Sequence, residues 1–210
     1  MRSDWLLLAR LVIYALAAVA SVHFVVLAAQ WDYAHIVAQE SGPIEILQAV
    51  LGFLAFGGFA AAARKSRNCA AILELAAAGL LFIAIRELDY PLDLAFGMGS
   101  YKYFNTPVVL WALYVLSRSW RVLPAEVATF VRSPAGFLSF FGLFLVAVHG
   151  QVFGQRELWI VLVDTHEELK LIKRIVEETT ETPGYFFLVG AALEAVLTSR
   201  AESADSIRAS

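Results

Sequence analysis

The sequence predicts an all-α integral membrane bundle of six transmembrane helices, with a short amphipathic outer helix before the last span. Three observations carry that prediction. The chain of 210 residues is 60% hydrophobic and 17% charged, against the quarter charged of an ordinary soluble domain. Its mean hydropathy is +0.68. Apolar stretches near the ~20 residues needed to cross a hydrocarbon core recur along the chain.

The first span is Leu6 to Ala29, apolar apart from Arg10, Ser21 and His23. Ala18-Val19-Ala20 before Ser21 has the pattern of a signal-peptidase site. The apolar run continues well past it, which favours an uncleaved first helix over a removed leader. A polar connection with Trp31 and Tyr33 follows. Gly42-Pro43 then opens the second span, Ile44 to Ala63, because proline at the first helical position gives up an N–H that has no partner there anyway. Glu45 falls in the first turn, where the positive helix end favours a carboxylate.

The third span starts at Cys69 and is completed or capped by Arg86-Glu87-Leu88-Asp89. Thr106-Pro107 is expected to open the fourth span, to about Val122. Pro124 to Arg132 reads as a short amphipathic connection. Ser133-Pro134 opens the fifth span, to about Phe153, with His149 near its far end. Thr165 with Glu168 fits a capping box for the amphipathic outer helix, whose Leu169, Ile172 and Val176 share one face. The last apolar run, Tyr185 to Thr198, reaches spanning length when it extends back to Val176. That extension kinks the helix at Pro183; the alternative ends one helix at Thr182 and starts another at Pro183.

Residues 1–200 thus read as one transmembrane domain and 201–210 as a disordered cytoplasmic tail. With the N-terminus inside, the inner segments hold Arg2, Arg64, Lys65, Arg67, Arg118, Arg121, Arg132, Arg200 and Arg208. The excess of Lys and Arg on that side predicts both termini in the cytoplasm, in what reads as a bacterial inner membrane. Net charge is −3 and no basic patch suggests nucleic acid. The expected partners are the lipid bilayer and either another membrane protein or a second copy of the chain. Cys69 is the only cysteine, which excludes an internal disulfide, a cysteine zinc site and an iron–sulfur cluster.

Under this topology Glu45, Gln48, Arg86, Glu87, Asp89, His149, Glu177, Glu178 and Glu181 share one outward-facing level. Glu45 and Gln48 are three apart, Arg86 and Asp89 three apart, and Glu177 and Glu181 four apart, so each pair lies on one helix face. Charged groups at such a level are costly unless paired, solvated or used. The functional reading is an acidic pocket that binds or transports a cation or cationic ligand, and carboxylate oxygens suit a divalent cation such as Mg²⁺ or Ca²⁺. His149 with Asp89 and Glu178 is the candidate metal set. It admits Zn²⁺ and metal-assisted hydrolysis of a lipid or amide.

The plainer reading is a set of interfacial charges in which Arg86 pairs with Glu45 or Glu178 and pins helices together, as in a non-catalytic subunit or assembly factor. Toward the inner end, Glu74 and Glu194 are within reach of Arg67 or Arg118. Asp32, Asp93, Glu157 and the stretch from Lys170 to Arg174 read as solvated surface. No H-E-x-x-H, G-x-S-x-G or phosphate-binding glycine loop is present, so no catalytic residue is assigned.

Overall fold

The computed structural model describes residues 2–28, 42–149, 152, 155–160 and 165–208. It is helical, with no strand among the described residues. The helices are α1 Arg2–Ala28, α2 Pro43–Ala63, α3 Ala70–Arg86, α4 Asp89–Phe96, α5 Tyr101–Ser119, α6 Leu123–Val131, α7 Pro134–Leu143, α8 Arg156–Trp159 and α9 His166–Arg208. A π-helical stretch, Phe144–His149, continues α7. The expected loop from Gln30 to Ser41, with Trp31, Tyr33 and Asp32, lies outside the described residues.

Among the described residues, two helices are long and apolar enough to cross a membrane, Trp5–Leu27 and Pro43–Ala63. A third crossing is available if Leu123–Val131 and Pro134–His149, bent by 89° at their junction, count as one. This fits a membrane protein in general. The other helices do not reach that length and apolarity on their own. Helix α3 has 17 residues, about 25 Å at the α-helical rise. Helix α5 carries Lys102, Asn105 and Arg118. The apolar half of α9 is continuous with a charged first half.

Several starts follow the local signals. Helix α2 opens on Pro43 with Glu45 in its first turn. At the corner before α7, the Gly136 N–H donates to Ser133 Oγ at 3.1 Å, the bond expected of a serine N-cap. The capping box at α9 is reciprocal: the Glu168 N–H donates to Thr165 Oγ1 at 3.2 Å and the Thr165 N–H to Glu168 Oε2 at 3.3 Å.

One expectation needs correction. Thr106-Pro107 does not open a helix, because α5 begins at Tyr101 and holds Pro107 inside it. An earlier nucleus explains the shift. The Ser100 N–H and hydroxyl both donate to Asp93 Oδ1, at 3.0 and 3.1 Å, across a turn whose Gly97 and Gly99 take positive φ of 97° and 79°. The Gly99 and Ser100 amides hold the Asp93 carboxyl below its ordinary range, so Asp93 is part of a built turn rather than a loose surface charge. Of the two options at Pro183, the continuous one is seen: a single 43-residue helix contains the amphipathic segment, Pro183 and the last apolar run. That helix runs on to Arg208.

The chain divides into two compact units. One contains Met1–Gln48 and Phe141–Phe187, the other Ala49–Phe140 and Leu188–Ser210. In the first, Val25, Ile44 and Ile175 pack together, and the Phe141 and Phe187 rings meet edge to face at 5.0 Å. In the second, Phe59 meets Phe130 at 6.3 Å and Phe56 meets Trp111 at 6.5 Å. The adjacent glycines of α2 have different roles there. A Cβ on Gly58 would lie 2.8 Å from Ala192 Cβ, whereas one on Gly57 would meet nothing within 4 Å. Close approach of small residues is a standard way for membrane helices to pack. Gly58→Ala should therefore lower the thermal midpoint in detergent by the cost of overpacking, about 1–3 kcal/mol. Gly57→Ala should be neutral, or stabilising by about 0.5–1 kcal/mol through helix propensity.

Candidate functional site

In the first unit, acids from two distant parts of the chain converge on one guanidinium. Helical spacing places Arg174, Glu178 and Thr182 in one row along α9, each four residues from the next. The first turn and a half of α2 brings up Glu45 and Gln48. Arg174 forms an ion pair with Glu45, and its Nε lies 3.3 Å from Glu178 Oε1. The side-chain amide of Gln48 donates to Glu178 Oε2 at 2.5 Å and to Thr182 Oγ1 at 3.0 Å. Gln48 and Thr182 are each 1% exposed and Glu178 is 4% exposed. A buried carboxylate is tolerable only with charge and hydrogen-bond partners of this kind.

The predicted residues distribute as follows. Glu45, Gln48 and Glu178 meet in this network. Glu181 is buried one turn beyond Glu178 in the same unit. Glu177 lies 3.7 Å from Lys173, an i,i+4 pair. Arg86, Glu87 and Asp89 belong to the second unit. There Arg86 is half-exposed and lies 3.8 Å from Glu87, while Asp89 is exposed and accepts the Tyr90 N–H at 2.6 Å. The Phe144 and His149 rings, both in the first unit, lie 6.3 Å apart, and His166 is exposed at the start of α9. Among the described residues, no three His, Cys, Asp or Glu side chains form a group that could hold a metal ion.

The residue that sequence reasoning missed is Arg174. In sequence it reads with Lys170 and Lys173 as solvated surface, yet its side chain is only 25% exposed. The available signal was its spacing: of these three cations, Arg174 alone stands four residues before Glu178 and eight before Thr182. Lys173 is 41% exposed, and Lys170 is exposed, as a surface reading implies.

A second polar centre lies in the second unit. Arg118 pairs with Glu74, one of the two arginines expected near it. The Glu202 carboxylate accepts from Ser66 Oγ at 3.2 Å, the Arg67 N–H at 3.3 Å and Asn68 Nδ2 at 3.2 Å. Glu126 Oε2 accepts the Ile72 N–H at 2.9 Å, so a carboxylate from α6 caps the open N-terminus of α3. Cys69 sits between these acids. Burial first, then Glu126 and Glu202, push its thiol above the ordinary range.

Two predictions follow from these groups. Arg174→Gln leaves two carboxylates without their shared cation. The cost should be about 3 kcal/mol, the low end for a broken buried pair because Arg174 is partly exposed. Adding Glu178→Gln should recover part of it in thermal unfolding. For Cys69, a raised pKa means less thiolate near neutrality. Alkylation at pH 8 should be slower than in the unfolded chain, and the gap should narrow as pH rises. Glu202→Gln should speed the reaction in the folded protein.

Comparison with family models, with curated proteins and with solved structures finds no match for this chain.

Proposed function

We propose that this is a multi-pass membrane protein of six spans, with both termini in the cytoplasm of a bacterial cell, whose acidic cluster binds a cation or cationic ligand in exchange with Arg174. The Lys and Arg bias supports the orientation, and the apolar lengths support the spans. One observation carries the binding reading. Glu45 of α2 and Glu178 of α9 converge on a single guanidinium, with the Gln48 amide beside them. Their geometry therefore already suits an organic cation, and Arg174 is its resident occupant. A ligand of the same chemistry competes for the same oxygens when the side chain swings toward its exposed side.

A second reading, a non-catalytic subunit or assembly factor, takes Arg174 as a permanent tie between α2 and α9. The burial of Gln48 and Thr182 around Glu178 favours it. Thermal unfolding of the purified protein, titrated with methylguanidinium, Na⁺, Mg²⁺ and Ca²⁺, separates the two. Under the binding reading the midpoint of the unaltered protein rises. A ligand at ten times its dissociation constant adds about 3–6 °C for a chain of this size, and Glu178→Gln abolishes the rise. Under the structural reading the unaltered protein is indifferent to all four, and Arg174→Ala alone responds to methylguanidinium.

A further inference from the structure

Helices α3 and α5 of the second unit enclose two adjoining clefts. One, of about 260 Å³, is lined by Phe82, Tyr101, Lys102, Asn105, Thr106, Val109 and Leu110. The other, of about 300 Å³, shares Phe82 and Val109 and continues along Leu75, Leu113 and Leu116. Together they make a groove with a polar end and an apolar length. From Asn105 to Leu116 it follows α5 for about 16 Å, which is one leaflet's half of a ~30 Å hydrocarbon core.

The polar end is built to receive something. Asn105 is 3% exposed. Its Nδ2 donates to the Phe82 carbonyl at 3.3 Å, which fixes the amide orientation, since a carbonyl cannot accept from Oδ1. Asn105 Oδ1 is then a buried acceptor with no hydrogen-bond partner among the described residues. Such an atom carries a desolvation cost that a donor would relieve. Three residues before it, Lys102 is exposed, with Nζ 5.8 Å from the centre of the Tyr101 ring. One mouth therefore offers a cation and an unmet acceptor above an apolar groove.

We infer that the α3–α5 groove binds one phospholipid with an anionic, hydroxyl-bearing headgroup. The phosphate faces Lys102, a headgroup hydroxyl donates to Asn105 Oδ1, and an acyl chain lies along Phe82, Val109, Leu113 and Leu116. The occupant is lipid rather than a free anion because the apolar extension is as deep as a leaflet. It is a hydroxylated lipid because the orphan group accepts and does not donate. The assignment rests on α5 lying in a bilayer.

Native mass spectrometry of the full chain released from lipid nanodiscs tests it, with three lipids. Phosphatidylglycerol supplies charge and hydroxyls, phosphatidylmethanol supplies charge without a hydroxyl, and phosphatidylcholine supplies neither. One retained lipid per chain is expected, in the order phosphatidylglycerol, phosphatidylmethanol, phosphatidylcholine. Lys102→Gln, at an exposed position, should cut phosphatidylglycerol occupancy about fivefold, the weight of one interfacial lysine, with an unchanged melting temperature. Val109→Trp should fill the groove and abolish retention of all three. Retention blind to headgroup and to both variants, or no retained lipid, overturns the site. A chain that extracts from cells without detergent overturns the membrane placement instead.

Discussion

The ion pairs of Arg174 are the constraint on which the first unit depends. Glu178 faces inward from α9 and Glu45 starts α2, and neither position favours an isolated charge away from water. A guanidinium suits the task because its planar fork of donors can address two carboxylates at once, which an ammonium on a flexible stem does less well. Gln48 completes the arrangement by donating both to Glu178 and to Thr182. The amide therefore fixes the rotation of α9 as well as the carboxylate. Packing of Ile44 with Val25 and Ile175 places an apolar contact one residue before Glu45 on α2 and one residue after Arg174 on α9. Charge and core thus act on the same pair of helices.

The second unit handles its polar groups at a different place, around the turn from α2 to α3. Glu202 accepts three hydrogen bonds from Ser66, Arg67 and Asn68, and Glu126 meets the first turn of α3. Backbone amides left open between two apolar helices are thereby satisfied by side chains that arrive from far along the chain. Glu202 thereby joins α9, beyond its apolar stretch, to the α2–α3 turn.

Much of the fold was legible because the signals were local. Gly42-Pro43, Ser133-Pro134 and the Thr165–Glu168 pair each specify a helix start through one or two hydrogen bonds within four residues, and the helices begin there. Thr106-Pro107 carried the same signature and misled, because the Asp93–Ser100 turn nucleates α5 sooner. Pro183 leaves two options in the sequence, a kink or a break, and the helix continues through it. The site was legible only in part. Glu45, Gln48 and Glu178 stood out as acids and an amide in apolar surroundings. The cation that joins them did not, because a basic stretch at the head of an amphipathic helix resembles solvated surface until its partner is known. Arg86 drew notice for its dense charge, yet density of charge at a helix end is what exposure to water permits.

The crossing of α7 with α9 is built on two departures from regular helix. Residues Phe144–His149 adopt the wider π spacing, and Pro183 supplies no N–H to the carbonyl of Thr179 four residues earlier. Gly184 follows at once, and a Cβ there would lie 2.9 Å from the Gly142 carbonyl and 2.7 Å from Val146 Cγ2. A π turn is in effect one residue more than an α-helix would use. Such a turn absorbs its extra residue locally, so trimming one from 144–149 would return that stretch to ordinary spacing and leave the faces presented on either side of it close to where they are. A change of length is thus contained at this point, where the same change in an unbroken α-helix would turn everything beyond it by about 100°.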